Sequence, residues 1–313
     1  MSFINAKKEN YRSGFVAIIG RPNVGKSTLV NKLVGEKIAI TSPVAQTTRN
    51  RLRAIITTPE AQLILVDTPG IHKPNHLLGE RLVKNARSTI GEVDLILIML
   101  DASYPPGKGD LYIVNLLANQ KIPVIPVLNK WDLVLNSDKI NRKILYQEIL
   151  DKFINPIHYS SAFTGEGCDS LLVSLSEKLP LGPQLYPQEM ISDQPQKVLI
   201  GELIREQVLL NTKEEIPHSV AVSIDRLEEV RNTSKKNNKI TTAILATVFV
   251  ERKSQKAILI GKGGQMLKTI GSAARLQIQI LVQGKVYLEI FVMVSPDWRK
   301  KPSRLAELGY VCD

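Results

Sequence analysis

Gly20-Arg21-Pro22-Asn23-Val24-Gly25-Lys26-Ser27 decides how the rest of this 313-residue chain is read. The pattern is G-x-x-x-x-G-K-[S/T]. An apolar run from Phe15 to Ile19 precedes it, and a helical segment from Thr28 to Val34, closed by Gly35, follows it. Strand, glycine turn and helix start in that order make a phosphate cradle. The glycines let backbone N–H groups turn inward, and the helix N-terminus adds the positive end of its dipole. In such a loop Lys26 reaches the β- and γ-phosphates and the Ser27 hydroxyl ligates Mg²⁺, with Thr28 completing the binding stretch.

Working outward, Arg51 to Thr57 and Gln62 to Val66 read as strands joined by the turn-prone Thr58-Pro59-Glu60-Ala61, a hairpin that gives the sheet one antiparallel edge. The second of these strands delivers Asp67-Thr68-Pro69-Gly70. An aspartate at a strand end beside a phosphate loop suits the Mg²⁺ shell. Gly70 can offer its N–H to a terminal phosphate because no Cβ blocks the approach. His76 to Ile90 has helical periodicity, Val93 to Leu100 reads as a buried strand and Asp110 to Asn119 as a short helix. Ile122 to Leu128 is a further buried strand, ending in Asn129-Lys130-Trp131-Asp132. The alternation predicts an α/β, doubly wound, mostly parallel sheet, in which ligands bind at the carboxyl ends of strands.

Asn129-Lys130-Trp131-Asp132 specifies the base. A carboxylate at Asp132 accepts from the N1–H and N2 amino edge of guanine, a pair of donors that adenine lacks. Sites built on such bonds reject the wrong partner by roughly 10⁴-fold. Asn129 can serve the opposite side of the base, and the Lys130 stem can cover its face. After Ile157, the backbone N–H groups of Ser161 and Ala162 can meet the guanine carbonyl.

These motifs in order resemble the translation-factor-type GTPases, and the likeness runs from residue 14 to about 180. The resemblance implies a first switch at Gln46-Thr47-Thr48-Arg49, with Thr48 rather than Thr47 joining Ser27 and Asp67 on Mg²⁺ when the γ-phosphate is present. Ile71 stands where many GTPases place a water-orienting glutamine, and an aliphatic side chain cannot hydrogen-bond water. The subgroup with this hydrophobic replacement includes members in which an asparagine matching Asn23 helps hold K⁺; a loop-stabilising amide is the other role for that residue. His72 and His76 read as surface histidines rather than bases.

Pro180 to Pro195 carries four prolines and reads as a semi-rigid connector. The expected division is therefore a 1–13 tail, a 14–180 GTPase domain, a 181–196 linker, a 197–295 second domain and a 296–313 basic tail. In the second domain a helix (Lys197 to Leu210) precedes a strand around Val220 to Ile224. A basic hairpin tip at Arg231 to Lys239 leads to a strand at Ile240 to Val250, and then comes Ile260-Gly261-Lys262-Gly263-Gly264. A helix to Leu281 and a strand at Val286 to Val294 complete it. This order resembles an α+β type II KH domain, whose G-x-x-G turn clamps the backbone of about four nucleotides. Lys262, Lys268 and Arg275 would add charge there. The sequence is read as placing no aromatic pair on a strand, so stacking of bases there is not expected, and Trp298 is expected to pack on the sheet.

A TrmE-type GTPase domain joined to a type II KH domain is the layout of a family of bacterial and organellar ribosome-assembly GTPases. The resemblance implies GTP and GDP as ligands, the 3′ end of 16S rRNA and the 30S subunit as partners, RNA binding gated by nucleotide, a monomer, and peripheral contact with the inner membrane. Its rivals are a ribosome GTPase with two phosphate loops, a tRNA-modification GTPase without the Gly261–Gly264 turn, and an RNA-binding protein with a degenerate nucleotide site. The last would have lost Lys26, Asp67 or Asp132.

Composition agrees. The formal net charge of +11 favours an anionic partner. It is shared: residues 1–190 hold 22 Lys+Arg against 17 Asp+Glu, and residues 191–313 hold 19 against 13. With only Cys168 and Cys312, no signal-peptide core, and no apolar run near the ~20 residues of a membrane span, a cytoplasmic or organellar interior is expected.

Overall fold

The computed structural model describes residues 10–44, 47–49, 51–71, 77–231 and 240–310. The apolar run before the phosphate loop forms β1 (Arg12–Ile19), the central strand of a six-stranded sheet. Its neighbours are β3 (Ala61–Asp67) and β4 (Leu95–Asp101), both parallel to it. β2 (Leu52–Thr57) pairs antiparallel with β3 at one edge, and β5 (Val124–Asn129) and β6 (His158–Tyr159) extend the other in parallel. β3, β4 and β5 are buried at every position, the pattern of strands covered on both faces. α1 (Lys26–Val34) and α5 (Cys168–Lys178) cover one face; α2 (Leu77–Ile90), α3 (Lys108–Leu117) and α4 (Lys139–Leu150) cover the other. α4 and α5 go beyond the helices predicted from sequence. α3 starts two residues earlier than predicted, because the Asp110 carboxylate caps it by accepting from the Gly107 N–H at 2.9 Å. His72 and His76 lie outside the described residues.

The proline-rich segment is more than a spacer. Gln62, fully buried on β3, accepts from the N–H groups of Leu185 and Tyr186 and donates to Tyr186 O, within 2.7–2.9 Å. Further along, Ile55 N–H donates to Ile191 O at 2.9 Å, so the segment straps the antiparallel edge. An edge covered in this way is not open to another strand.

The strap ends at α6 (Gln196–Asn211), followed by α7 (Ile216–Ser219). β7 (Ala221–Arg231), β8 (Ile240–Val250) and β9 (Lys285–Val294) form a second sheet, antiparallel between β7 and β8 and parallel between β8 and β9. Of the predicted basic tip, Arg231 ends β7, and residues 232–239 lie outside the described ones. α8 (Lys253–Ile260) and α9 (Gln265–Leu281) make the crossover, and α6 and α9 seal the inner face through Ile200, Ile204, Ile270, Ile278 and the β8 residues Ile244 and Val248. This is the type II KH order.

Two expectations are corrected here. Tyr287 and Phe291 stand on one face of β9, 61% and 51% exposed, so an aromatic pair does lie on a strand. The four-residue spacing on a period-two strand was sufficient to place them together. The C-terminal segment is also not a free basic tail. Trp298, fully buried, packs with Ala221 and Phe249 of the second sheet as expected, and equally with Leu77 and Leu78 of α2 and with Leu305 and Tyr310. Its indole N–H donates to Ser219 O at 2.8 Å. With α10 (Pro302–Glu307), this segment bridges the two domains.

Candidate functional site

The loops at the carboxyl ends of β1, β3 and β5 meet where the sheet order turns around β1. Gly25 adopts φ +101°, a left-handed conformation that a side chain resists, and a Cβ there would lie 2.4 Å from Asn129 Nδ2. Lys26, buried, curls over the loop and donates to Gly20 O (3.3 Å) and Arg21 O (3.0 Å). Arg21 is held by Asp110 at 2.8 Å. The loop after β3 leans on the phosphate loop: Ile71 N–H donates to Gly20 O at 3.2 Å, and a Cβ on Gly70 would sit 2.6 Å from Pro22 N. Thr68, buried beside Pro69, donates to Ile18 O at 2.7 Å.

Three oxygens converge below this loop. Ser27 Oγ donates to Asp67 Oδ2 at 2.8 Å, Thr48 Oγ1 reaches the same oxygen at 3.1 Å, and the two hydroxyls lie 2.9 Å apart. Thr47 turns the other way, donating to Val44 O at 2.6 Å. Gln46 lies outside the described residues. Asp67 Oδ1 is buried and, among the described residues, has no hydrogen-bond partner. Two hydroxyls and a carboxylate with an unpaired oxygen are a donor set for a hard divalent cation, so the residues fit Mg²⁺. The electrostatics agree. Burial pushes the Lys26 ammonium down to about 8 against the pull of Asp67, and burial pushes the Asp67 carboxyl up against Lys26, Ser27 and Thr48. In both groups burial outweighs their mutual attraction, an imbalance that a phosphate beside Lys26 and a cation beside Asp67 would offset.

At the other end of the cleft, Lys130 takes φ +61° and its ammonium is fixed by Asp101 at 2.6 Å, which holds its stem in place. Trp131 is buried against Tyr159, with ring centroids 4.6 Å apart, while Asp132 is exposed at the start of the following turn. Asn129 is first a bridge within the protein. Its amide donates to Val24 O and accepts from Ala162 N–H, each at 2.8 Å, and so ties the phosphate loop to the Ser161–Ala162 loop. Both N–H groups expected to face a guanine carbonyl are thus used internally, since Ser161 N–H donates to Glu166 O at 2.9 Å. Asn23, at φ +62°, donates to Pro43 O at 2.7 Å.

In the second domain the turn between α8 and α9 has Gly261, Gly263 and Gly264 at φ +72°, +60° and +79°. The space beside Gly263 and Gly264 is open, whereas a Cβ on Gly261 would lie 2.7 Å from Met266 Cβ. Ile260 is half-buried beneath the turn, and Lys262, Lys268 and Arg275 are exposed. Lys268 and Arg275, seven residues apart, share a face of α9.

The sequence did not point to the seam between the domains. Arg49 is 2% exposed, and its guanidinium donates to the carbonyls of Pro217, His218 and Val220. Arg205 donates to Thr47 O, and Glu206 accepts from Thr41 N–H at 2.8 Å and Lys37 at 2.5 Å. From α2, Arg81 donates to Tyr310 O at 2.8 Å. A buried guanidinium bonded to carbonyls has no residue-type partner to search for.

A P-loop nucleotide site with a guanine-type carboxylate, joined to a type II KH domain, defines a GTPase carrying an RNA-binding module. The family described as 50S ribosome-binding GTPase matches residues 15–130, and the KH domain family matches residues 215–299. The GTPase Era of Nostoc sp. is 57% identical over 96% of this chain and 90% of its own length. A crystal structure of Era with MgGDPNP and nucleotides 1506–1542 of 16S ribosomal RNA is 38% identical, with a TM-score of 0.90 over 96% of this chain and 99% of the other. A point variant of Aquifex aeolicus Era bound to GDP and AlF₄⁻ gives 36% and 0.89 over the same shares. The chain belongs to the Era family of GTPases.

Proposed function

We propose that this chain is a slow GTP-hydrolysing switch that binds the 3′ end of 16S ribosomal RNA and assists assembly of the 30S subunit. The observation carrying the nucleotide half is the unpartnered, buried Asp67 Oδ1 beside the Ser27 and Thr48 hydroxyls. Ser27, Thr48 and Asp67 hold Mg²⁺, which when bound neutralises charge on the phosphate oxygens. Lys26 would add a second positive charge at the β- and γ-phosphates, the Gly70 main chain would serve the γ-phosphate, and Asp132 would take the guanine edge. In hydrolysis a water oxygen bonds to the γ-phosphorus. The bond to the β,γ-bridging oxygen breaks, GDP leaves with the electron pair, and the water proton ends on phosphate.

Ile71 offers no group to align that water, and it is buried at 3% exposure. Intrinsic turnover near roughly 10⁻⁴–10⁻³ s⁻¹ follows, the scale of unassisted GTPases. Asn23 uses its amide donor on Pro43 O, which leaves its oxygen to ligate K⁺ at the phosphate loop. The RNA half is supported by the left-handed glycine turn with its open approach, by exposed Lys262, Lys268 and Arg275, and by the relative that binds nucleotides 1506–1542.

GTP turnover measured in K⁺ and in Na⁺, with and without an oligonucleotide of the 16S 3′ end, tests this reading. K⁺ and the oligonucleotide should each raise the rate, and Gly264→Asp should abolish the RNA effect alone. Equal stimulation by an unrelated RNA would favour a ribosome or tRNA GTPase with a different RNA target. Equal rates in all conditions would remove the switch.

A further inference from the structure

Arg49 is buried, yet among the described residues all its partners lie outside its own domain. Nη1 donates to Val220 O at 2.5 Å, and Nη2 to the carbonyls of Pro217 and His218, both at 3.3 Å. These carbonyls belong to the end of α7, where helix geometry leaves acceptors without internal donors. The rings of Trp298 and Tyr310, stacked 5.9 Å apart, approach the guanidinium at 6.0 and 5.9 Å. The socket therefore combines backbone of the second domain with two aromatic faces of the C-terminal segment, the surroundings that suit a planar cation. Held there, the guanidinium does not serve as a charge on phosphate.

The preceding residue does the opposite. Thr48 points to Ser27 and Asp67 within the nucleotide site. The loop between is fastened at other points: Thr47 O to Arg205, Thr41 N–H and Lys37 to Glu206, and Ile40 within the second-domain core. One stretch of chain thus carries a metal-site hydroxyl on one side and, on the next residue, an anchor in another domain.

We propose that Arg49 is a positioning residue for GTP hydrolysis: its seat in the second domain fixes Thr48 against Ser27 and Asp67, so that α7, Trp298 and Tyr310 complete the Mg²⁺ and γ-phosphate site from outside the GTPase domain. The inference rests on the assignment of Thr48 to Mg²⁺ given above. Because Thr48 is needed only when the γ-phosphate is present, loss of the anchor affects the triphosphate and spares the diphosphate.

The test uses the full chain and its Arg49→Ala, Arg49→Lys, Tyr310→Ala and Thr48→Ala variants. Affinities for Mg²⁺ with GMPPNP and for GDP are measured together with single-turnover hydrolysis. Arg49→Ala should lower the hydrolysis rate by about 10²-fold, the scale of a small misplacement in a preorganised site. GMPPNP affinity should fall on the order of tenfold while GDP affinity stays within about twofold. Arg49→Lys should fall between, because an ammonium reaches fewer of the carbonyls. If Arg49→Ala does not fold, GDP binding is lost, and Arg49→Lys and Tyr310→Ala then decide. Parallel losses for GDP and GMPPNP in those two variants, or wild-type behaviour in both, would overturn the proposal. If Thr48→Ala impairs GMPPNP binding while the anchor variants do not, the socket alone is refuted. If Thr48→Ala is also silent, the Mg²⁺ assignment itself has failed.

Discussion

Replacing Asn129 by alanine tests whether that side chain acts first as a strut. In the native structure Asn129 is 2% exposed and satisfies two main-chain groups, Val24 O and Ala162 N–H, both at 2.8 Å. Alanine leaves both without partners. Each buried orphan costs about 1–3 kcal/mol, and water entering through the nucleotide cleft recovers part of it, so a net loss of about 2–4 kcal/mol is expected. The phosphate loop and the Ser161–Ala162 loop would no longer share a brace, so the loss falls on nucleotide binding. At 1.4 kcal/mol per decade, GDP affinity should drop roughly 30- to 700-fold, and GTP affinity by the same factor, because the brace does not distinguish the phosphate count. Titration of a fluorescent GDP and a fluorescent GTP analogue measures both. Affinities within about twofold of wild type would refute the strut, because the orphaned groups would then have cost nothing.

Two further substitutions probe other contacts. Gly70→Ala places a Cβ 2.6 Å from Pro22 N and 2.8 Å from Pro22 Cα, so one of the two loops must shift; hydrolysis should fall by about 10²-fold while GDP still binds, and an unchanged single-turnover rate would show that the loops are slack. Trp298→Phe removes the indole N–H from Ser219 O and shortens a fully buried ring, so guanidinium-induced unfolding of the second domain should shift by about 1–3 kcal/mol, and no shift would mean that the inter-domain cluster is not structural.

What could be read from the sequence was what chemistry ties to residue type over short spans. Gly25 and Lys26 must stand where they do for a loop to hold phosphate, and Asp67 ends a strand whose every position is buried. The doubly wound order followed from alternating periods. The seam did not, for a physical reason. Arg49 bonds Val220 O across 171 residues, and Thr41 N–H bonds Glu206 across 165. Main-chain carbonyls accept from any donor, and an arginine in a polar loop reads as solvated. The same limit hid the role of Asn129, whose partners are both backbone groups. The composition of the C-terminal segment was misleading too: its arginines and lysines suggested a tail, while Trp298, Leu305 and Tyr310 between them form a buried face and Arg299 pairs with Glu251 at 2.6 Å.

The adjacency of Thr48 and Arg49 has a geometric consequence. Thr48 meets Ser27 and Asp67 while Arg49, the next residue, meets carbonyls at the end of α7, so the loop sends the two side chains to different sites. In a lone GTPase domain that outward side chain would meet water. Here it meets α7 and two aromatic rings, which makes the second domain part of the loop's energetics wherever Thr48 is engaged. The coupling must act in both directions, because a state that favours the anchored loop also favours the ligand that needs it. A change in the second domain that closes the Arg49 socket therefore tightens triphosphate binding, and a change that opens it loosens the triphosphate while leaving the diphosphate in place.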